Sequence, residues 1–182
     1  MKRTLGTCAL VLLGCWASAY AAQDVVSAVK GTVKKVDSAS KTVVVETADG
    51  TDHTLHYGAR TVVHGARAAD AGEKDTFHGV AEGSTVVVHY TERGGEDSAQ
   101  EVDRIGEGGL KATTGTISRI DRGGKVLVVK GEDGTEATYH LSDHAAVDGG
   151  KDLVSGSEKG AKVTVYYTEN ASRKVAHFFE SA

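Results

Sequence analysis

Along this chain, apolar residues come in short runs rich in Val and Ile. Asp-Gly, Gly-Gly and Ser-Gly steps separate the runs. Such runs with such turns predict β-strands joined by tight connections. The first half reads as strands at Thr32–Asp37, Thr42–Thr47, Asp52–Tyr57, Ser84–Glu92 and Gln100–Ile105. The second half reads as strands at Thr116–Asp121, Val126–Lys130, Glu136–Leu141, Ala161–Glu169 and Arg173–Phe179. In the first strand of each half, apolar residues stand three apart, as in Val33/Val36 and Ile117/Ile120. Strict alternation would need two, so a bulge or bend is expected there. Asp49-Gly50 and Asp133-Gly134 predict hairpin turns, because both residue types tolerate positive φ. In the fourth strands, Val86, Val88 and Tyr90 alternate with Thr85, Val87 and His89. Val163, Val165 and Tyr167 alternate with Lys162, Thr164 and Tyr166. Each predicts one buried face and one wetter face. Helical signals are weak and confined to Asp75 or Thr76 through Glu82 and to Ser155 through Lys159.

The two halves are the same text. Gly31–Gly65 and Gly115–Gly149 align without a gap at an offset of 84, with 13 of 35 positions identical. Gly83–Glu92 and Gly160–Glu169 align at an offset of 77. A register kept this long points to an internal duplication. The order β-β-β-(short α)-β-β predicts an all-β chain of two tandem, five-stranded OB-like barrels, with an SH3-like barrel as the alternative. The expected boundaries are 28–105 for the first unit, 106–112 for a Gly-rich linker and 113–182 for the second.

The N-terminus reads as an address. Met1-Lys2-Arg3 is positive, Thr4–Gly14 is apolar, and Ala19-Tyr20-Ala21 carries small residues where signal peptidase reads. Residues 1–21 are therefore expected to be a signal peptide, too short in its apolar run to span a membrane. Leu12-Leu13-Gly14-Cys15 also resembles a bacterial lipobox, which would lipidate Cys15 instead of cleaving after Ala21. Both readings place the protein outside the cytoplasm, in the periplasm or at the outer membrane of a bacterium.

Composition then narrows the chemistry. The chain has 182 residues, 23 Gly, no Pro, and only Cys8 and Cys15 as cysteines. Removing residues 1–21 takes away Lys2 and Arg3 and moves the formal charge from −4 to −6. An acidic chain with few outward aromatic residues argues against nucleic acid. No Gly-x-Ser-x-Gly elbow and no phosphate-binding loop is present, so no catalysis is expected. The eight His are the remaining candidates for chemistry. His56 and His140 stand at equivalent positions and are expected to face outward. His53, His64 and His78 could converge across the longer first-unit loop and bind Zn or Cu.

The form GTV..VD...TVVVET.DGT, followed by EGSTVVVHYTE, resembles a bacterial domain-of-unknown-function family of secreted small OB-like β-barrel repeats. Its glycines fall at Gly31, Gly115, Gly83 and Gly160. The resemblance implies an envelope barrel and brings no catalytic residue with it. The reading at this point is a non-catalytic exported binding or scaffolding protein without a cofactor, acting on an envelope protein partner, with a possible lipid anchor. The alternative is a periplasmic metal-binding protein.

Overall fold

The computed structural model describes residues 26–65, 77, 79–121, 123–148 and 159–182. The strands are β1 (Val26–Asp37), β2 (Thr42–Glu46), β3 (Asp52–His56), β4 (Val62–His64), β5 (Thr85–Arg93) and β6 (Glu96–Arg104) in the first unit. The second unit contains β7 (Lys111–Asp121), β8 (Val126–Lys130), β9 (Glu136–Leu141), α1 (Asp143–Asp148), β10 (Lys162–Asn170) and β11 (Arg173–Ser181). The protein is nearly all β. The expected helical turn at Ser155 lies in a stretch outside the described residues, apart from its end at Lys159; the described helix is α1. Ser142 accepts from the Ala145 amide and so caps it.

The second unit is a closed barrel in the order β10-β11-β9-β8-β7. β11 runs parallel to β9, and the other pairings are antiparallel. With a helix between the third and fourth strands, this is an OB-like arrangement. In the first unit the order is β3-β2-β1-β5-β6-β4, with β3 also pairing parallel to β6. β4 continues that edge, setting His64 opposite Asp103. At the offset of 84, β4 corresponds to positions inside α1, so the same stretch is strand in one unit and helix in the other.

Local chemistry explains the shared geometry. The β1/β2 register shifts between Val33 and Lys35, and the β7/β8 register shifts between Ile117 and Arg119. Each shift inserts one extra residue, which is what a spacing of three needs to keep both apolar side chains inside. Gly31 and Gly115 lie just before these bulges. A Cβ at Gly31 would run into the Glu46 carbonyl and Val45, and one at Gly115 into the Lys130 carbonyl and Val129. Gly83 and Gly160 have φ of 83° and 90°, a region other residues adopt at a cost.

Each unit has its own core. Val33, Val36, Val43, Val45, Leu55, Val86, Val88 and Val102 fill the first. Ile117, Leu127, Val129, Tyr139, Leu141, Val163, Val165 and Phe179 fill the second. A third cluster joins the units: Val87, Leu110 and Tyr166, with Ala28, Ile105 and Phe178 against them. The wetter strand faces expected at Val87/His89 and at Tyr166 are thus buried against each other. Phe178 and Phe179 split, one in the joint and one in the barrel core.

The link between the units is short and ordered. Gly109 N–H donates to the Gly106 carbonyl and Gly106 N–H to Leu110. Gly109 also packs against Gly65, directly after β4.

Candidate metal centre

Four side chains with nitrogen or carboxylate donors converge beside the apolar joint: His64, Glu101, Asp103 and His177. Their donor atoms all lie within 4.8 Å of one another. Three strands deliver them. Glu101 and Asp103 stand two apart on β6, so both face away from the first core while Val102 between them faces in. His64 sits on β4 across from Asp103. His177 comes from the second unit, on β11. There Tyr166 pairs with Phe178 and Tyr167 with Ala176, leaving His177 as the extra residue of a bulge. The bulge turns His177 and Phe178 outward while Ala176 and Phe179 stay in the core.

Each imidazole lies within hydrogen-bond or ion-pair reach of both carboxylates. His64 Nδ1 is 2.8 Å from Asp103 Oδ1 and 3.2 Å from Glu101 Oε1. His177 Nδ1 is 2.9 Å from Glu101 Oε1 and 3.4 Å from Asp103 Oδ2. Four ligands held tetrahedrally at zinc bond lengths stand about 3.4 Å from each other. Little movement is therefore required to admit an ion. His177 Nε2 faces Thr168 Oγ1 at 3.0 Å. That outer contact orients the ring so that Nδ1 faces the carboxylates.

Burial makes the cluster costly by itself. The side chain of Asp103 is fully buried, and its Oδ2 is met only by the long, 3.4 Å approach of His177 Nδ1 among the contacts of the cluster. Glu101 and His177 are each only 8% exposed. Burial pushes the Glu101 carboxyl up, but the hydrogen bond from His177 and the nearby His89 and His144 more than offset this and hold it at about 2. Burial also disfavours charge on His177, yet hydrogen bonds to Asp103 and Glu101 win and raise it to about 9. At neutral pH without metal, a cationic His177 therefore donates to an anionic Glu101. On the other side of Glu101, His144 Nε2 of α1 lies 3.4 Å from Oε2. The His144 ring stacks on His89 at 5.4 Å between centroids.

Of the histidines singled out in sequence, the structure brings His64 into the cluster. His53 lies on β3 opposite Val45, part-exposed, and is not among the four converging residues. Convergence of His53 with His64 across the first-unit loop does not occur, because the strand pairing that moves β4 onto β6 leaves β3 facing β2 at His53. His78 lies outside the described residues, as do Cys15 and Ala21. His56 is exposed, and His140 is part-buried. Sequence reasoning missed Glu101, Asp103 and His177. Two acids flanking Val102 on one strand are a pattern that any solvated strand face shares. The available signal was Val87, an apolar residue on the same outward face.

Among the described residues no helix is long and apolar enough to cross a membrane. No family model matches the chain, and no curated protein matches it. Solved structures of CusF resemble part of it. Silver(I)-bound CusF covers 43% of this chain and 96% of its own, at 15% identity and a TM-score of 0.32. Apo-CusF residues 6–88 from Escherichia coli covers 49% and 98%, at 16% identity and a TM-score of 0.34. CusF–Ag(I) residues 10–88 from Escherichia coli covers 47% and 98%, at 16% identity and a TM-score of 0.35. Identity and fit are too low to carry any property of that protein to this chain.

Proposed function

We propose that this protein is an exported binder of a borderline divalent transition-metal ion, Zn²⁺ or Cu²⁺, held by His64, Glu101, Asp103 and His177. The observation that carries the reading is the convergence of two imidazole and two carboxylate donors, three of them buried, with donor atoms all within 4.8 Å of one another. The chemistry of the donors sets the class of ion. Imidazole with carboxylate suits borderline divalent metals, whereas soft monovalent ions favour sulfur. The chain's sulfur residues are Met1, Cys8 and Cys15, all remote in sequence from the donors. Two carboxylates and two neutral imidazoles would also cancel a 2+ charge, relieving the cost of buried acids.

Isothermal titration of Zn²⁺, Cu²⁺ and Ag⁺ into the full chain tests this. Zn²⁺ or Cu²⁺ should bind one ion per chain, and Ag⁺ should bind far more weakly. The double variant Glu101→Gln/Asp103→Asn should abolish binding, and His53→Ala should leave it unchanged. No heat with either divalent ion, or unchanged heat in the double variant, would reject the site. The N-terminal pattern supports export. Intact mass of the protein recovered from the envelope decides its form: a chain beginning after Ala21, or one beginning at a diacylglyceryl Cys15. An unprocessed Met1 would remove the export reading.

A further inference from the structure

The donors do not belong to one unit. His64 (β4), Glu101 and Asp103 (β6) come from the first, and His177 (β11) comes from the second. The rest of the joint is modest. Its apolar part is Val87, Leu110 and Tyr166, edged by Ala28, Ile105 and Phe178. Its further polar contacts are Lys30, which donates to Tyr166 Oη at 2.8 Å and pairs with Glu180, and His144 of α1, whose Nε2 lies 3.4 Å from Glu101 Oε2 and whose ring stacks on His89. The covalent link is the short turn from Ile105 to Leu110. A joint of this kind, with three buried apolar residues beside charged and polar contacts, is expected to open and close.

We infer that the bound ion fastens the two units together, so that metal occupancy sets how firmly the second barrel docks on the first. This rests on the metal-binding reading above. The physical basis is linkage. An ion that meets four donors only in the docked arrangement favours that arrangement by the ratio of its affinities for the docked and open forms. The open form offers three donors and the docked form four. The single donor of the second unit thus converts metal affinity into docking. The face around it fits this role. Phe178, next in the chain to His177, has its ring 6.4 Å from that of His89 across the joint and 5.9 Å from that of Tyr166. Thr168 keeps Nδ1 of His177 aimed across the joint. An exported protein with such a clasp would report metal by its shape, presenting an open pair of barrels when metal is scarce and a closed pair when it is abundant.

Hydrogen exchange on the full chain tests the inference, with metal binding followed separately by calorimetry. Saturating Zn²⁺ should slow exchange of the Ile105–Leu110 link and of β10 and β11 by about tenfold or more, short of the ~100-fold that linkage gives at 100 Kd when the open form does not bind at all. In His177→Gln, Zn²⁺ should still bind, more weakly, to the three first-unit donors. At saturation it should leave the link and β11 as unprotected as without metal. A second variant guards against misfolding of the first. Inserting Gly-Ser-Gly between Gly108 and Gly109 should speed exchange of the link without metal, and Zn²⁺ should restore protection. Zn²⁺ bound to the wild type with no change at the link or β11 would overturn the clasp and leave the metal site standing. Equal protection of wild type and His177→Gln at saturation would do the same. Absence of Zn²⁺ binding altogether would overturn both.

Discussion

The two units carry the same bulge at the same place and use it differently. In the first, β5 and β6 shift register between His89 and Tyr90, so that Gln100 is the extra residue. In the second, β10 and β11 shift between Tyr166 and Tyr167, so that His177 is extra. Around each bulge the inward residues are small or apolar: Ala99 and Val102 in one, Ala176 and Phe179 in the other. The outward residues have diverged. Gln100 bonds locally, to Thr91 and to the Ser98 carbonyl. His177 instead reaches across the joint to Glu101. His89, Glu101 and Asp103 of the first unit stand at the offset of 77 from Tyr166, Phe178 and Glu180 of the second. One face became acidic and the other aromatic. Two copies of one barrel can therefore make a composite site when they dock through equivalent faces and only the outward positions change.

The sharpest way to break this comparison is to truncate the two bulge residues in turn. His177→Ala leaves Glu101 and Asp103 buried without their cation. It should cost about 3–5 kcal/mol of stability in metal-free protein, since removing one partner of a buried pair is expensive. Gln100→Ala should cost far less, because its partners lie within its own unit. Urea unfolding of both variants measures the difference, and equal losses would refute the asymmetry.

The next effect should be symmetric. Gly31→Ala and Gly115→Ala each drive a Cβ into the facing strand. Each should lose about 1–3 kcal/mol by overpacking. A large loss in one and none in the other would show that the first-strand bends are not equivalent.

A smaller effect should run upward. The turn between β5 and β6 has Gly94 at φ 66°, while the matching turn of the second unit has Ala171 at φ 54°. Ala171→Gly should stabilise by about 0.5–1 kcal/mol by relieving a left-handed residue that carries a Cβ. Thermal unfolding that moves down instead would show that the turn is held by something other than backbone preference.

The smallest effect is pH-dependent. Asp49 and Asp133 occupy matching turns. The hydroxyl of Thr47 and the amide of Thr51 hold the Asp49 carboxyl below the usual range. The hydroxyl and amide of Thr135 do the same for Asp133. A depressed carboxyl adds stability above its unfolded value and loses it as the pH falls through the folded one. Asp49→Ala and Asp133→Ala should therefore lower the melting temperature slightly at pH 7, with the gap to wild type closing in strong acid. A gap that persists there would assign the effect to turn geometry rather than charge.

The comparison also shows what a sequence can carry. The paired strands and Asp-Gly turns were legible because each depends on neighbours a few residues away. Val33/Val36 and Ile117/Ile120 announced their bulges through spacing alone. β4 and α1 were not legible as elements. Thr61–His64 is too short to assert a strand, and it forms one through β6, nearly forty positions on. α1 had a readable cap in Ser142, but six residues make a faint periodicity. The site was legible only at His64. Glu101 and Asp103 become interior when the second unit covers them, and His177 becomes a donor through a bulge. Both events depend on contacts that no local pattern records.

The bulge at His177 has one more consequence. Ala176 and Phe179 hold the barrel interior while the two residues between them belong wholly to the joint. Positions 177 and 178 can change identity without any demand on the core, as Gln100 and Glu101 can in the other unit. The fold thus separates what keeps each barrel standing from what the pair can recognise. Such a scaffold can be refitted for another ion, or for none, by exchanging a few outward side chains while every inward one stays as it is.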